Sequence, residues 1–282
     1  MERGLRAAHA AGARLAVLPE MWPTSFVATA TEELVAASLA AEARMVALSG
    51  EFGMLVVGGG IGGSPGKLEN RAVVADCGQV LGVFRKIHTF SPHGEQRTMR
   101  GGEEALVLDT RCGRIGVLVC YDLRFPELVR WYFDQGAELL VVPAQWPEAR
   151  AQHWRTLTRA RAIENQCFVV GCNRTGTDVS LKTGEPLTFP GDSQIIDPMG
   201  EVLAAGTGEA APVLAEIDLR KVRTMRKVLP IAKDRRPEVY KRLWGAPLQN
   251  PPLKRTSGAD PASRDAAGAP EPPSATGERA RP

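Results

Sequence analysis

The sequence has 282 residues, of which 44% are hydrophobic and 24% charged, and its formal net charge is +3. These values are typical of a globular protein and exclude collagen-like, coiled-coil and wholly disordered chains. The net charge is too small to indicate a nucleic-acid partner, and the apolar runs are far shorter than the roughly 20 residues that cross a bilayer, so we expect no membrane segment.

The body of the chain alternates short β-rich runs with helical runs, which predicts an α/β fold with mixed sheets and outer helices. In chain order the pattern predicts a helix over 2–12, a strand over 13–19, a helix over 32–53, a strand over 54–58, a hairpin of 71–76 with 80–85, a strand over 113–119, a helix over 127–135, a strand over 139–142, a helix over 151–165, a strand over 167–171, and a hairpin of 193–197 with 213–218.

The C-terminal segment, residues 249–282, has a different composition from the body. It holds seven prolines, seven alanines and no aromatic residue. Such a segment buries too little apolar surface to offset the entropy of ordering it. The sequence therefore predicts one domain over 1–248 followed by a disordered tail over 249–282.

The cysteines indicate a reducing environment. Their number is odd, no two form a Cys-x-x-Cys pair, and no secretory signal is predicted, so we expect free thiols and a cytoplasmic location. The five are Cys77, Cys112, Cys120, Cys167 and Cys172. His88 and His93 are close enough in sequence to share a metal ion, but no cysteine pair accompanies them, and we expect no metal site.

Three chemically active side chains follow predicted strands at the point where each strand ends. Glu20 follows the first strand, Lys86 follows the first hairpin, and Cys120 follows the strand that ends at Val119. Taken singly, the first two are typical solvated loop residues and the third a typical core cysteine. Because ligands bind outside the carboxyl ends of strands in α/β sheets, their joint occurrence predicts a catalytic site.

The segments around these residues resemble the motifs of the nitrilase superfamily of carbon–nitrogen hydrolases. The resemblance covers about residues 10–245 and is carried by Leu18-Pro-Glu-Met-Trp22, Phe84-Arg-Lys-Ile-His88, Val119-Cys-Tyr-Asp-Leu-Arg-Phe-Pro-Glu127, His153-Trp154, Arg159-Ala-Arg-Ala-Ile-Glu-Asn-Gln166, Asn173-Arg174 and Ile196-Asp-Pro-Met-Gly-Glu-Val202. The Cys-Tyr-Asp-Leu-Arg-Phe-Pro run and Gln145-Trp-Pro147 look most like the omega-amidase branch, whose members hydrolyse the terminal amide of 2-oxoglutaramate and 2-oxosuccinamate.

The resemblance implies a four-layer αββα sandwich, a homodimer, and hydrolysis of a small amide without cofactor or metal. It maps a Glu–Lys–Cys triad onto Glu20, Lys86 and Cys120, and a second glutamate onto Glu95, with Glu103 and Glu104 as the alternatives. In these roles Cys120 is the nucleophile, Glu20 the general base and acid, and Lys86 the cation that stabilises the thiolate and then the oxyanion.

The surroundings of the thiol support further expectations. Cys120 is expected to open a helix whose N-terminus favours a thiolate, and the backbone N–H of Tyr121 to donate to the oxyanion. Trp146 is expected to form a wall of the pocket, with a surface aromatic as the alternative. Arg174 is the candidate for a substrate carboxylate, whereas Arg124 is expected to pair with a nearby acid and brace the helix.

The start of the chain departs from the superfamily pattern. Members of the superfamily begin with an apolar strand, so about thirty residues are expected to be missing before the first helix, which would leave strand groups unpaired. The protein could therefore be an inactive truncated remnant, or a binding module that keeps the fold. An active enzyme with the same site residues could also hydrolyse nitriles or N-carbamoyl compounds, or transfer the acyl group to an amine.

Overall fold

The fold was determined as a computed structural model that describes residues 1–27, 30–64, 66–180, 183–206, 208 and 211–245. Residues Met1–Asp234 form one compact unit, and a second unit begins at Arg235. The tail predicted over 249–282 lies outside the described residues, so its disorder stays a prediction. Across the described ranges, no helix combines the length and the apolar character that crossing a membrane requires.

The described residues form seven α-helices and thirteen strands, which include the elements predicted from the sequence except the strand over 213–218. The helices are α1 (Glu2–Ala10), α2 (Glu32–Glu51), α3 (Pro126–Asp134), α4 (Ala151–Asn165), α5 (Arg220–Val228), α6 (Ile231–Asp234) and α7 (Pro237–Gly245). The strands are β1 (Leu15–Val17), β2 (Leu55–Gly58), β3 (Ile61–Ser64), β4 (Lys67–Asp76), β5 (Gln79–Arg85), β6 (Val107–Thr110), β7 (Gly113–Val117), β8 (Leu139–Ala144), β9 (Phe168–Asn173), β10 (Thr175–Val179), β11 (Pro186–Pro190), β12 (Gln194–Ile196) and β13 (Val202–Ala205).

The fold is built around two mixed sheets. In the first, β1 runs parallel to β2, β2 pairs antiparallel with β4, and the long β4 also pairs with β3 and β5. The second has the order β13-β12-β9-β8-β7-β6, with a parallel centre formed by β7, β8 and β9. A separate antiparallel hairpin, β10 with β11, follows β9 along the chain.

The two sheets pack face to face and are covered by helices on their outer sides. Alternate residues of β2 and β8 show this arrangement, because successive side chains of a strand point to opposite faces. Leu55 of β2 and Leu139 of β8 share the core between the sheets. Val56 instead packs with α1 and α2, and Leu140 packs with α3 and α4. The layers are therefore helix, sheet, sheet, helix, which is the predicted αββα sandwich.

The second predicted hairpin has a different partner strand from the one expected. Gln194–Ile196 pairs with Val202–Ala205, and residues 213–218 form no strand. The reason is a tight turn, in which Oδ1 of Asp197 accepts hydrogen bonds from the backbone N–H groups of Met199 and Glu201. This turn reverses the chain immediately, so the residues directly after it become the partner strand.

Candidate active site

The three strand-end residues meet in one buried cluster, and Glu95 joins them. Lys86 Nζ lies 2.8 Å from Oε1 of Glu20 and 2.9 Å from Oε2 of Glu95. Lys86, Glu20 and Glu95 are each at most 2% exposed. The alternatives, Glu103 and Glu104, lie on the surface. The structure thus brings together the four residues that the resemblance assigns to catalysis.

The cluster controls the protonation of Lys86. Burial alone would lower the pKa of the ammonium, but the negative charges of Glu20 and Glu95 outweigh it and raise the pKa above its usual value. A lysine whose pKa is raised stays charged throughout the neutral range. Lys86 is therefore a permanent cation at the bottom of the site.

The thiol of Cys120 is protonated in the resting site. Its pKa is raised well above the usual value, first by burial and then by the negative charge of Glu20. The charge of Lys86 and the backbone N–H of Gln145 act in the opposite direction without compensating. A neutral thiol is a weak nucleophile, so an attack by it would require a base, and Glu20 lines the same pocket as Cys120.

Cys120 opens a helix, as expected, but this helix is a short 3₁₀ turn and not an α-helix. Cys120 begins a 3₁₀ turn that ends at Arg124, and its φ of 46° lies in the left-handed region. The α-helix begins only at Pro126, since the residue before a proline is driven out of the helical region and Phe125 has an extended ψ of 98°. The sulfur therefore lies at a 3₁₀ turn and not at the N-terminus of an α-helix, and the thiolate depends on Lys86 for charge.

Two buried residues that sequence reasoning missed hold the glutamates. The backbone N–H of Gln145 donates to Oε2 of Glu20 (3.1 Å), and its side chain donates to the backbone carbonyl of Glu20 (2.7 Å). Asn70 Nδ2 donates to Oε1 of Glu20 (2.7 Å) and to Oε1 of Glu95 (2.9 Å). The available signal for Asn70 was the polar run Glu69-Asn-Arg71 inside an otherwise apolar strand.

A pocket opens over the cluster and exposes Glu20, Lys86 and Cys120 to a ligand. Tyr121 and Trp146, both expected to contact substrate, line it. The opposite wall comes from the β10–β11 hairpin and is mainly apolar. Its lining residues include Val179, Leu187 and Phe189.

Arg124 also lines the pocket, and the expectation that it pairs with a nearby acid is wrong. Its guanidinium lies over the ring of Trp146, 4.5 Å from the centroid, and Nη2 is 3.3 Å from Nδ1 of His153. Within the part of the chain that the structure describes, no carboxylate lies within ion-pair distance of it. Arg150 lines the same pocket, so two guanidinium groups are available to an anionic ligand.

Arg174 does not line the pocket. Its Nη1 donates to Oδ2 of Asp178 (3.1 Å), Oε1 of Gln145 (3.2 Å) and Oγ of Ser25 (2.5 Å). The guanidinium also covers the ring of Phe189, 4.5 Å from its centroid. These contacts join the β10–β11 hairpin to the residues that hold Glu20, so the structure separates Arg174 from the ligand space and places Arg124 there instead.

The two histidines near the cluster have other partners. Nδ1 of His88 lies 2.8 Å from Oδ1 of Asp122, and its ring stacks on Phe125 with 3.6 Å between centroids. His93 packs edge-on against Phe26 and Phe90. In the described ranges, no group of three or more His, Cys, Asp or Glu side chains is arranged to hold a metal ion.

Comparison with known proteins identifies the family. The carbon-nitrogen hydrolase family model matches residues 1–227, and the chain belongs to this family. It is 36% identical to the 2-oxoglutaramate amidase of Bacillus subtilis, over 79% of this chain and 85% of the relative. A crystal structure of a carbon-nitrogen hydrolase from Helicobacter pylori G27 superposes with a TM-score of 0.79 at 26% identity, covering 86% of this chain and 91% of that one.

A further solved structure shows the chemistry of a similar site. It is a glutamate-to-glutamine variant of the amidase from Nesterenkonia sp. AN1, with the acetamide moiety of fluoroacetamide added covalently at the active-site cysteine. Its TM-score is 0.72 at 26% identity, covering 86% of this chain and 88% of that one. The predicted superfamily, the αββα fold and the class of enzyme, a carbon–nitrogen hydrolase that acts on amides, are confirmed.

Proposed function

We propose that the protein hydrolyses the terminal amide of small 2-oxo acids such as 2-oxoglutaramate, through a thioester on Cys120. The observation that carries this proposal is the contact of a buried lysine with two glutamates beside a protonated thiol at the bottom of a pocket. The similarity to a 2-oxoglutaramate amidase supports the choice of substrate.

The first half-reaction forms the thioester. Glu20 takes the proton of the Cys120 thiol while the sulfur attacks the amide carbon. The ammonium of Lys86 stabilises the oxyanion of the tetrahedral intermediate, and one such donor contributes on the order of 3 kcal/mol. The C–N bond then breaks, Glu20 returns its proton to the nitrogen, and ammonia leaves.

The second half-reaction releases the acid. Glu20, again a carboxylate, takes a proton from water as the water oxygen attacks the thioester carbon. The C–S bond breaks, the proton returns to the sulfur of Cys120, and the carboxylic acid departs. Glu95 keeps Lys86 in place through both steps, because it is the second carboxylate bonded to Nζ.

The carboxylate of the substrate is assigned to Arg124, with Arg150 beside it. The guanidinium of Arg124 lines the pocket near Cys120, and the desolvation that lowers its pKa strengthens its attraction for an anion. A 2-oxo acid amide carries such an anion at the end opposite the amide. Arg174, the residue chosen from the sequence, bonds to Asp178 and Gln145 instead.

A substrate panel with detection of released ammonia tests the proposal. 2-Oxoglutaramate and 2-oxosuccinamate are compared with glutamine, with an uncharged aliphatic amide, with an N-carbamoyl amino acid and with a nitrile. We expect the two 2-oxo acid amides to be hydrolysed with the highest kcat/KM. Cys120→Ala should abolish the activity without changing the melting temperature by more than a few degrees.

Each further outcome of the panel has a defined meaning. If the protein preferred N-carbamoyl compounds or nitriles, the proposed substrate would be wrong, but the assignment to the carbon-nitrogen hydrolase family would be unaffected. Wild-type turnover by Cys120→Ala would overturn the proposed nucleophile. A folded wild-type protein that hydrolyses nothing in the panel would favour the inactive remnant or binding module.

We also propose that the protein is a homodimer. Its outer helix layer exposes large apolar side chains, including Trp131 on α3 (42% exposed) and Ile163 on α4 (46% exposed), and such groups favour an interface. Light scattering coupled to size-exclusion chromatography should give twice the mass of one chain. A monomer at micromolar concentration would contradict this.

We further propose a cytoplasmic location, because the chemistry needs a reduced thiol. All five cysteines of the sequence are free in the structure. Cell fractionation should recover the protein with the cytoplasmic markers. Recovery with secreted or membrane fractions would contradict the proposal.

A further inference from the structure

Asn70 contacts all three charged residues of the catalytic cluster, Glu20, Glu95 and Lys86. It lies in β4, where it forms the last pair with β3 opposite Ile61, and it is only 2% exposed. Its backbone carbonyl accepts a hydrogen bond from the backbone N–H of Lys86 at 2.9 Å. Its side-chain nitrogen reaches both Glu20 and Glu95.

The side-chain amide acts only as a donor. Nδ2 carries two hydrogens, and each has a carboxylate oxygen at 2.7 or 2.9 Å. Oδ1 is buried and has no hydrogen-bond partner among the residues that the structure describes. If the amide were turned around, Oδ1 would face two carboxylate oxygens and repel them. Glu20 and Glu95 therefore determine the orientation of the amide, although this orientation leaves Oδ1 without a hydrogen bond.

The charges of the cluster explain why a second donor is needed. Glu20 and Glu95 bring two negative charges into a buried site that holds one ammonium, Lys86. Glu20 must nevertheless be ionised before the reaction, because it has to receive the thiol proton. Lys86 and Asn70 both bond to Oε1 of Glu20, which leaves Oε2, bonded to the backbone N–H of Gln145, as the more available oxygen.

We propose that Asn70 is a positioning residue that holds the carboxylates of Glu20 and Glu95 side by side and directs Oε2 of Glu20 to the Cys120 proton. The proposal rests on the thioester chemistry proposed above. Asn70 does not line the pocket, so it acts through the two glutamates and not on the substrate.

The test compares identical substitutions at two buried asparagines. Asn165 is also 2% exposed, also has an unpaired Oδ1, and lies in α4 bonded to the carbonyl of Arg161. Asn70→Leu should lower kcat by about 10- to 100-fold, the effect of losing hydrogen bonds to charged groups, with KM unchanged. The acidic limb of its pH–kcat/KM profile should move to higher pH, because a proton competes better for carboxylates that have lost a donor. Asn165→Leu should leave both kinetic quantities at wild-type values.

A second pair of variants covers the case in which Asn70→Leu does not fold. Asn70→Asp keeps the shape and adds a carboxyl that faces Glu20, Glu95 and Lys86. We expect its activity to fall as the pH rises, since the new group must hold a proton to donate, whereas Asn165→Asp should keep the wild-type profile.

Three results would overturn the proposal. The first is a wild-type kcat in Asn70→Leu. The second is a pH dependence of activity that is unchanged in both Asn70 variants. The third is an equal loss of activity in the corresponding Asn165 variants. Failure of the proposed function is distinguished by Cys120→Ala, because activity in that variant would reject the thioester chemistry whatever Asn70 does.

Discussion

Asp122 receives two hydrogen bonds from His88. Oδ1 of its fully buried carboxylate accepts the backbone N–H of His88 at 2.9 Å and lies 2.8 Å from the ring Nδ1. Oδ2 accepts the backbone N–H of Val119 at 3.0 Å. One carboxylate therefore ties the segment that follows Lys86 to the turn that carries Cys120.

Removal of this carboxylate should affect both stability and rate. We expect Asp122→Ala to lower the free energy of unfolding by about 3 kcal/mol, because buried donors lose their acceptor. The same change should lower kcat, because Lys86 and Cys120 are no longer held to each other. Denaturant unfolding and ammonia release measure the two effects. Asp109→Ala, which removes an exposed ion pair, is the control and should change stability by less than about 1 kcal/mol. Equal effects of the two variants would contradict the proposed tie.

Glu20→Gln should make the Cys120 thiol more acidic and yet slow turnover. The negative charge of Glu20 raises the pKa of the Cys120 thiol, so its removal should lower that pKa. Turnover should nevertheless fall by about 10²- to 10⁴-fold, because the base is lost. Thiolate absorbance against pH, with the Cys120→Ala protein subtracted, measures the pKa. Glu103→Gln, on the surface, should change neither quantity. A raised thiol pKa in Glu20→Gln would reject the assignment.

Lys86→Met should have the opposite effect on the thiol. Because the charge of Lys86 lowers the pKa of Cys120, that pKa should rise further, and the protein should neither turn over nor form an acyl-enzyme detectable by mass spectrometry. Two buried carboxylates without a counter-ion should also cost about 3–5 kcal/mol of stability. Addition of Glu20→Gln should recover part of this loss, since one charge is removed. A full-mass acyl adduct in Lys86→Met would exclude the proposed role.

Arg124 and Arg174 should differ in their effect on charged substrates. Arg124→Met should raise KM for 2-oxoglutaramate by about 10- to 100-fold and leave hydrolysis of an uncharged amide nearly unchanged. Arg174→Met should lower kcat for both substrates alike, because it loosens the contacts that hold Gln145 and the hairpin. Steady-state kinetics on the two substrates decides between them. If Arg174→Met lost the preference for the charged substrate and Arg124→Met kept it, Arg174 would be the residue that binds the substrate carboxylate, as the sequence predicted.

The location of the proposed catalytic cluster could be predicted because its signals are local. Glu20, Lys86 and Cys120 each come directly after an apolar run, although Glu20 and Lys86 follow strands of the first sheet and Cys120 follows β7 of the second. The roles of the arginines could not be predicted in this way. Arg174 bonds to Ser25, 149 positions away, and Arg124 stacks on Trp146, which belongs to another strand end. Neither pairing leaves a pattern in the sequence.

Sequence reasoning missed β3, β6, β10, β11 and β13, and three of these strands have physical features in common. β3 contains two glycines, β10 is polar and mostly exposed, and β11 begins and ends with a proline. Such segments lack the apolar alternation that identifies a half-buried strand. Their pairing depends on the neighbouring strand, which only the folded structure supplies.

The left-handed backbone at Cys120 restricts which atoms can serve as nucleophile in this scaffold. A side chain branched at Cβ is rarely accommodated at a φ of 46°. Threonine is therefore a poor replacement, although its hydroxyl performs equivalent chemistry in other enzymes. An oxygen ester intermediate in this protein would therefore require serine at position 120, and random mutagenesis at this codon should return few folded variants with a β-branched side chain.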